Sequence, residues 1–475
     1  MADLMLSDNV AKHERMTAYH WWVLIVGSMC WLFDCMDARI FALSRQPALT
    51  QLLANFTAGM TPDDATLTVL KHGDYATAAM MVGWAVGGLF FGIVGDKWGR
   101  VRTLSTSVLV YSLFTGLSGL SQTWYDFCLW RFLMGCGIGG AFATAATLIA
   151  ETLPQHLRVL ALGSLQALGS VGNIIGSAVS TWLITPNMPV NSLHLGYPIP
   201  GWRLIFGFGV LPSLLIVLIM RTIKEPEQWH QARKTAKEKL DRQMGDLKSM
   251  MGHPRWRRNA IVGVLLAVAG AVGLWGVGFY TPELISEALQ SATPKEVNFV
   301  RGFGTMIQDC GGLLGVFFFT FLALRMGRRA AFGICFAMAF VVVTFVFLQL
   351  RSAQQAYWMT PMVGFVTLTV FGGYSIYFPE IFPTRLRATG TAICYNVGRV
   401  LSAAIIVSQV PMKSFFNNLF ANQQSSITKF FASIGAPTPF RAVAVVMCTI
   451  YFVGLLALIW APETKGKPLP TDDDR

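Results

Sequence analysis

Charge is scarce in this chain. Of its 475 residues only 13% are Asp, Glu, Lys or Arg, while 53% are hydrophobic; a soluble domain carries roughly 25% charged residues. So little polar surface cannot cover a protein of this length in water, and a mean hydropathy of +0.51 agrees. Reactive side chains are scarce too. No Cys-x-x-Cys occurs, and the eight cysteines, Cys30, Cys35, Cys128, Cys136, Cys310, Cys335, Cys394 and Cys448, all fall in apolar stretches. That distribution argues against a disulfide framework and a metal site. The seven histidines lie in tails, loops or stretch ends without a His-Glu-x-x-His, so a membrane-embedded metalloenzyme is not expected. No phosphate-binding Gly-x-x-x-x-Gly-Lys loop is present, which leaves ion or substrate gradients as the energy source. A cleavable leader is not expected, because the first apolar stretch lacks a small-residue cleavage site. No cofactor is expected, and the 14 residues from Pro462 to Arg475 are too few for an added sensor domain.

What the chain has is apolar runs of about 20 residues, enough to cross a bilayer as helices. Six lie at about 20–43, 76–95, 103–121, 126–149, 159–184 and 201–221, and six more at 259–281, 301–323, 330–350, 357–379, 388–410 and 441–461. The expected organisation is a tail (1–19), a six-helix bundle (20–221), a linker (222–258), a second bundle (259–461) and a tail (462–475). With an inside N-terminus, 25 of the 37 basic residues fall in cytoplasmic segments and 8 in external loops. Both termini are then cytoplasmic. The net charge of +12 is explained by this bias and by anionic lipid headgroups, and no nucleic acid is needed to account for it. Residues 222–258, with Arg221 just before them, carry 11 Lys and Arg against 5 acids and read as an amphipathic, solvated linker resting partly on the membrane surface. Asn55-Phe56-Thr57 is a lone glycosylation triplet in the first external loop, too common to be informative.

The runs are not independent. Glu151, Pro154, Leu157 and Arg158 recur about half a chain later, in the same spacing, as Glu380, Pro383, Leu386 and Arg387. Gly99-Arg100 recurs at nearly the same offset as Gly327-Arg328. A repeat of half the chain within apolar sequence marks a carrier built from two homologous bundles. The loop after the second run reads Gly92-x-x-x-Asp96-Lys97-x-Gly99-Arg100-x-Arg102, and the fourth run contains Arg131-Phe-Leu-Met-Gly135-Cys-Gly137-Ile-Gly139. Glu225-Pro226-Glu227 follows the sixth run and Pro462-Glu463-Thr464-Lys465-Gly466 the twelfth.

At those positions the chain resembles the major facilitator superfamily over its whole length. The resemblance implies an all-α membrane protein, with twelve transmembrane helices in two pseudo-symmetric six-helix bundles. It also implies that Asp96 faces a helix N-terminus of the other half, where the macrodipole favours an anion, and that the motif from Gly92 to Arg102 latches the inner gate. In the second half Leu324 stands where Asp96 stands in the first, so that copy has lost the carboxylate. Glu151 with Arg158, and Glu380 with Arg387, are the candidates for the remaining gate ion pairs. The third, sixth, ninth and twelfth helices are implied to face lipid.

Charges inside apolar runs are costly unless they meet a cavity or a partner. In the first run Cys30, Asp34, Asp37 and Phe41 share one helical face and Arg39 points largely away. Two desolvated carboxylates one turn apart suit a group that loads and releases a proton near neutral pH; a structural pairing with an arginine is the bland alternative. Arg131 resembles the superfamily's structural or coupling arginine. In the fifth run Gln166, Ser170, Asn173 and Ser177 form a polar stripe, and the offset of the repeat carries it onto Tyr395, Arg399 and Ser402. An arginine at that depth is suited to a carboxylate ligand, or equally to a salt bridge with Asp309. Trp275, Phe279, Tyr280, Phe371, Tyr374, Tyr377 and Phe378 are aromatics for stacking on a substrate, or for packing.

The reading is a secondary transporter moving a small organic anion, an aromatic or sugar-derived carboxylate, together with protons. The Asp-x-x-Asp of the first run resembles the aromatic-acid and sialic-acid proton symporters. The segment from Pro379 to Gly390 followed by Asn396-x-Gly398-Arg399 resembles the organic-ion branch. The paired glutamines of sugar porters are missing from 269–284. A neutral sugar or polyol porter is the second reading, and an exporter of amphipathic compounds the third. A monomer in a bacterial inner membrane is expected.

Overall fold

The computed structural model describes residues 16–184, 192–194, 198–238, 243–407, 409–421 and 425–471. Parts of both tails and of the linker therefore lie outside the described residues. Helix dominates; the one strand pair found among the described residues is a short antiparallel ladder of Ser192–His194 with Pro198–Pro200. In chain order the helices are α1 (Ala18–Leu52), α2 (Pro62–Trp98), α3 (Arg100–Gly119), α4 (Trp124–Thr152), α5 (Gln155–Ile184), α6 (Gly201–Phe208) and α7 (Ser213–Thr222). The segment after α7 supplies α8 (Glu227–Glu238) and α9 (Leu247–Gly252). Then come α10 (Pro254–Ala271), α11 (Thr281–Ala288), α12 (Pro294–Met326), α13 (Arg328–Gln349) and α14 (Ala353–Glu380). The series ends with α15 (Arg387–Val407), α16 (Gln409–Ala421), α17 (Ser426–Ser433), α18 (Pro439–Cys448) and α19 (Ile450–Ala457).

Helix occupies every apolar run, and nine helical stretches among the described residues are long and apolar enough to cross a membrane. α1, α3 and α15 are not among those nine. The starts are specified locally. Thr61 and Thr293 cap α2 and α12, each with proline in the first turn, and Thr123 and Ser352 cap α4 and α14. Each side-chain oxygen takes an otherwise orphaned backbone N–H. Gly99 and Gly327 separate α2 from α3 and α12 from α13 at φ 118° and 93°, a backbone region that penalises any side chain.

Several expected loops turn out helical. α1 continues to Leu52 and α2 begins at Pro62, so the expected first external loop is mostly helix, and the glycosylation triplet sits in a single turn, Ala54–Thr57. The seventh run is interrupted: α10 gives way to a π-helical segment, Val272–Val277, and a 3-10 turn, Gly278–Tyr280, before α11. The linker is not simply solvated. Trp229, Met250 and Trp256 are buried, and the indole N–H of Trp229 donates to the carbonyl of Asp96 at 2.7 Å.

The chain forms two compact units. Among the described residues, the first takes those from 16 to 253 with 382–396 and 469–471, and the second those from 254 to 381 and from 397 to 468. In the first, α2 and α4 cross backbone to backbone. A Cβ on Gly83 or Gly87 would overlap carbonyls of α4, and one on Gly135 or Gly139 would overlap carbonyls of α2. In the second, Gly311 and Gly315 of α12 and Gly364 of α14 do the same. Such small-residue crossings let helices pack closely where burial from water supplies no driving force. Leu109 and Leu113 on α3, Leu214 and Val217 on α7, Val341 and Phe345 on α13, and Phe452 and Leu456 on α19 point outward. They give each unit an apolar exterior.

Candidate functional site

In the first unit the buried charges meet. Cys30, Asp34, Asp37 and Phe41 line the buried face of α1, while Arg39 is partly exposed. Arg131 of α4 brings its Nη1 to 3.6 Å from the Asp37 carboxylate. Its Nε and Nη2 donate to the Ser118 hydroxyl at 3.0 and 2.7 Å. Phe41, Phe127 and Phe206 surround the guanidinium, with ring centroids 5.4, 5.9 and 4.7 Å away. An aromatic collar attracts a cation through the ring quadrupoles and excludes water. Tyr111 and Thr115 of α3 lie beside Asp34 and Asp37, yet no oxygen of either carboxylate has hydrogen-bond geometry to a described residue. Arg131 thus pairs with Asp37, while Asp34 lies one turn away on the same buried face. With both ionised, the cluster would hold an uncompensated negative charge in a low dielectric, a costly state.

The polar stripe of α5 lies nearby in the same unit. Gln166 and Ser170 are buried and Asn173 is partly exposed. Gly169 and Gly172 allow α5 to approach Trp31, Cys35 and the Leu32 carbonyl of α1. Trp31, Phe142 and Tyr395 form an aromatic row, with successive centroids 4.5 Å apart. Tyr395 thus joins the first unit, whereas Arg399, one turn further along α15, belongs to the second.

In the second unit Arg399, Ser402 and Asp309 are buried, and α15 packs on α10 where Gly398 meets Ala267. Trp275 sits on the π-helical segment and is partly exposed. Two expected stacking aromatics are committed to packing. The Tyr374 hydroxyl donates to the Leu266 carbonyl and that of Tyr377 to the Pro462 carbonyl, and both rings lie against Phe332. Their buried hydroxyls needed acceptors, and neighbouring segments provide them.

The charged motif after α2 is assembled around Glu151. Arg100 donates to both Glu151 oxygens at 2.9 Å and lies 3.2 Å from Asp96. Arg387 also pairs with Glu151, and Arg100 reaches the Thr384 carbonyl at 2.7 Å. Asp96 accepts the backbone N–H of Ala388 and of Thr389 at 3.1 and 2.9 Å, in the first turn of α15. Those donors have no intrahelical partner and carry the positive end of the helix dipole. Gly92 lets the same segment approach, since a Cβ there would strike Ala392. Lys97 and Arg102 are exposed, so of the motif's cations it is Arg100 that is buried against Asp96.

The second unit repeats the bidentate pair with different membership from that expected. Glu380 takes Arg328, at 2.9 and 2.7 Å, rather than Arg387, and also accepts the Thr464 hydroxyl. Arg387 lies in the other unit, on Glu151. Arg158 is buried, but Arg100 is the bidentate partner of Glu151. Two further carboxylates escape the sequence reading. Glu225 accepts the backbone N–H of Arg100, Val101 and Arg102, and Glu463 those of Arg328 and Arg329. Each crowns the N-terminus of a helix from the end of its half, a favourable place for an anion. The signal is present as a Glu-Pro or Pro-Glu pair after the sixth and twelfth runs, but the target helix lies far upstream in the sequence.

The Major Facilitator Superfamily profile matches residues 41–407. The cis,cis-muconate transport protein of Acinetobacter baylyi is 30% identical over 386 residues, covering 80% of this chain and 87% of that protein. A sialic acid transporter of Escherichia coli is 27% identical over 316 residues, 66% of this chain and 71% of the relative. Among solved structures, the Escherichia coli proton:xylose symporter superposes with a TM-score of 0.70 at 17% identity, covering 95% of this chain and 98% of that one.

Proposed function

We propose that this chain, which belongs to the Major Facilitator Superfamily, is a proton-coupled importer of a small organic anion. It crosses the membrane twelve times with both termini cytoplasmic, as a monomer in a bacterial inner membrane, and exposes one central site alternately to each side. The observation that carries the coupling is the pair of buried carboxylates Asp34 and Asp37, of which Asp37 lies 3.6 Å from Arg131. A proton on one carboxylate removes the excess charge, and Asp34, lacking the arginine, is the natural carrier of it. Arg399 is the ligand for the substrate carboxylate, and Gln166, Ser170, Asn173, Trp275, Tyr395 and Asp309 complete the substrate set. The relatives named for cis,cis-muconate and sialic acid support an organic-acid substrate over a neutral one.

Uptake into proteoliposomes tests this, with cis,cis-muconate, aromatic acids, sialic acid and neutral sugars, each with and without an inward proton gradient. Accumulation of a carboxylate driven by the gradient is expected. Asp34→Asn should abolish uphill accumulation while sparing counterflow, which needs no net proton movement. Arg399→Ala should weaken anion binding about ten- to a hundredfold, the worth of one charge-assisted hydrogen bond. Gradient-driven accumulation of a sugar with none of the acids would replace this reading with the neutral-sugar porter.

A further inference from the structure

At the start of α10 the second unit carries a groove of about 210 Å³, lined by Pro254, Arg257, Arg258, Ile261, Leu265 and Trp460 among others. Arg257 and Arg258 are exposed, and neither has an ion pair or hydrogen bond among the described residues. The contrast with Arg100, Arg131, Arg328 and Arg441, each held by carboxylates, hydroxyls or carbonyls, is sharp. Along α10, residues 257 or 258, 261 and 265 fall on one face. Charge at the helix start thus passes directly into apolar surface, with Ile261 51% and Trp460 56% exposed. Pro254–Ala288 is a membrane-spanning stretch by length and composition, so its first turn lies at the boundary between headgroups and acyl chains. Tryptophan favours that boundary. The free N–H groups of the first turn add positive potential to the two guanidinium groups.

We propose that this groove is a binding site for one anionic phospholipid, its phosphodiester held by Arg257 and Arg258 and one acyl chain laid along Ile261 and Leu265 against Trp460. A soluble anion would use the arginines but gain nothing from the apolar wall. A zwitterionic lipid would bring a cation of its own beside two others. The site rests on the membrane-spanning architecture alone, and on neither the substrate nor the coupling ion.

The test is native mass spectrometry of the full-length protein released from detergent with dioleoyl phosphatidylglycerol or dioleoyl phosphatidylcholine. Wild type should retain one phosphatidylglycerol in preference to phosphatidylcholine, and millimolar inorganic phosphate should not displace it. The double substitution Arg257→Gln with Arg258→Gln should lower that retention by about tenfold or more. Ile261→Trp fills the groove with both charges kept, so it should lower retention too and carries the test if the double variant misfolds. Lys234→Gln, which removes an exposed charge on α8, should change nothing. Undiminished retention in the groove variants, an equal loss with Lys234→Gln, or displacement by phosphate alone would each overturn the proposal. Because the readout is lipid retention, none of these results bears on whether the protein transports an anion.

Discussion

Glu463 shows how one side chain can fasten two distant parts of the chain. Burial opposes its ionisation, but four backbone N–H groups, of Arg328, Lys465, Arg329 and Thr464, outweigh it and hold the carboxyl below the usual glutamate range. A group with a depressed folded value stabilises the protein above its unfolded value and loses that contribution as pH falls through the folded one. Glu463→Gln should therefore lower the melting temperature at pH 7, and the gap from wild type should narrow toward zero below about pH 4. Thermal unfolding followed at both pH values checks this. A gap that is constant with pH would mean that shape, not charge, fastens α13. Arg131 is the complementary case, since its collar of Phe41, Phe127 and Phe206 makes it a cation that cannot leave its place easily.

At the scale of elements, the crossings of α2 with α4 and α12 with α14 depend on the absence of a side chain. Gly139→Ala would set a Cβ against the Trp84 carbonyl and the Gly88 backbone. The two helices must separate to admit it, at a cost of about 1–3 kcal/mol. Gly302→Ala, also helical but with open space around it, should instead gain about 0.5–1 kcal/mol from the better helix former. Opposite shifts in detergent thermal unfolding are the expected result. The glycines follow the repeat of the charged motif: Gly83, Gly87 and Gly99 correspond at one common offset to Gly311, Gly315 and Gly327, and Gly135 corresponds within one position of that offset to Gly364. This part of the fold was legible in the sequence, as were the caps Thr123 and Ser352, which also correspond between the halves. The interrupted α10 was less so. Gly270, Gly273, Gly276 and Gly278 weaken a helix, but it is Tyr374 and Tyr451 filling the space beside Gly270 and Gly273 that show what the gaps admit.

At the scale of the molecule, Asp96 joins α2 to the first turn of α15, a helix from the other half of the sequence. As the latch of an alternating carrier it would be made and broken once per cycle. Asp96→Asn removes the charge and keeps the shape, so it should shift the conformational balance toward the inward-open state by about tenfold and slow net transport. Labelling of single cysteines placed on either side of the carrier would report the shift. Wild-type labelling with wild-type transport would remove Asp96 from the cycle. Trp229, which holds the Asp96 carbonyl from α8, extends the same assembly into the linker.

The amino-acid pattern alone determined the class, the helical runs and the set of charged residues needing shelter, because each follows from how much polar surface a segment can show to lipid; the twofold repeat came from the recurrence of the Glu151–Arg158 spacing at Glu380–Arg387. Tertiary structure decided the partners. It assigned Glu380 to Arg328 and Arg387 to Glu151, set Glu225 and Glu463 on the starts of α3 and α13, and turned Tyr374 and Tyr377 into packing. Periodicity reports which face of a helix is buried, a property of one segment. A hydrogen bond between residues far apart in the chain depends on where several helices settle together, and close backbone crossings such as Gly87 on Cys136 set those positions.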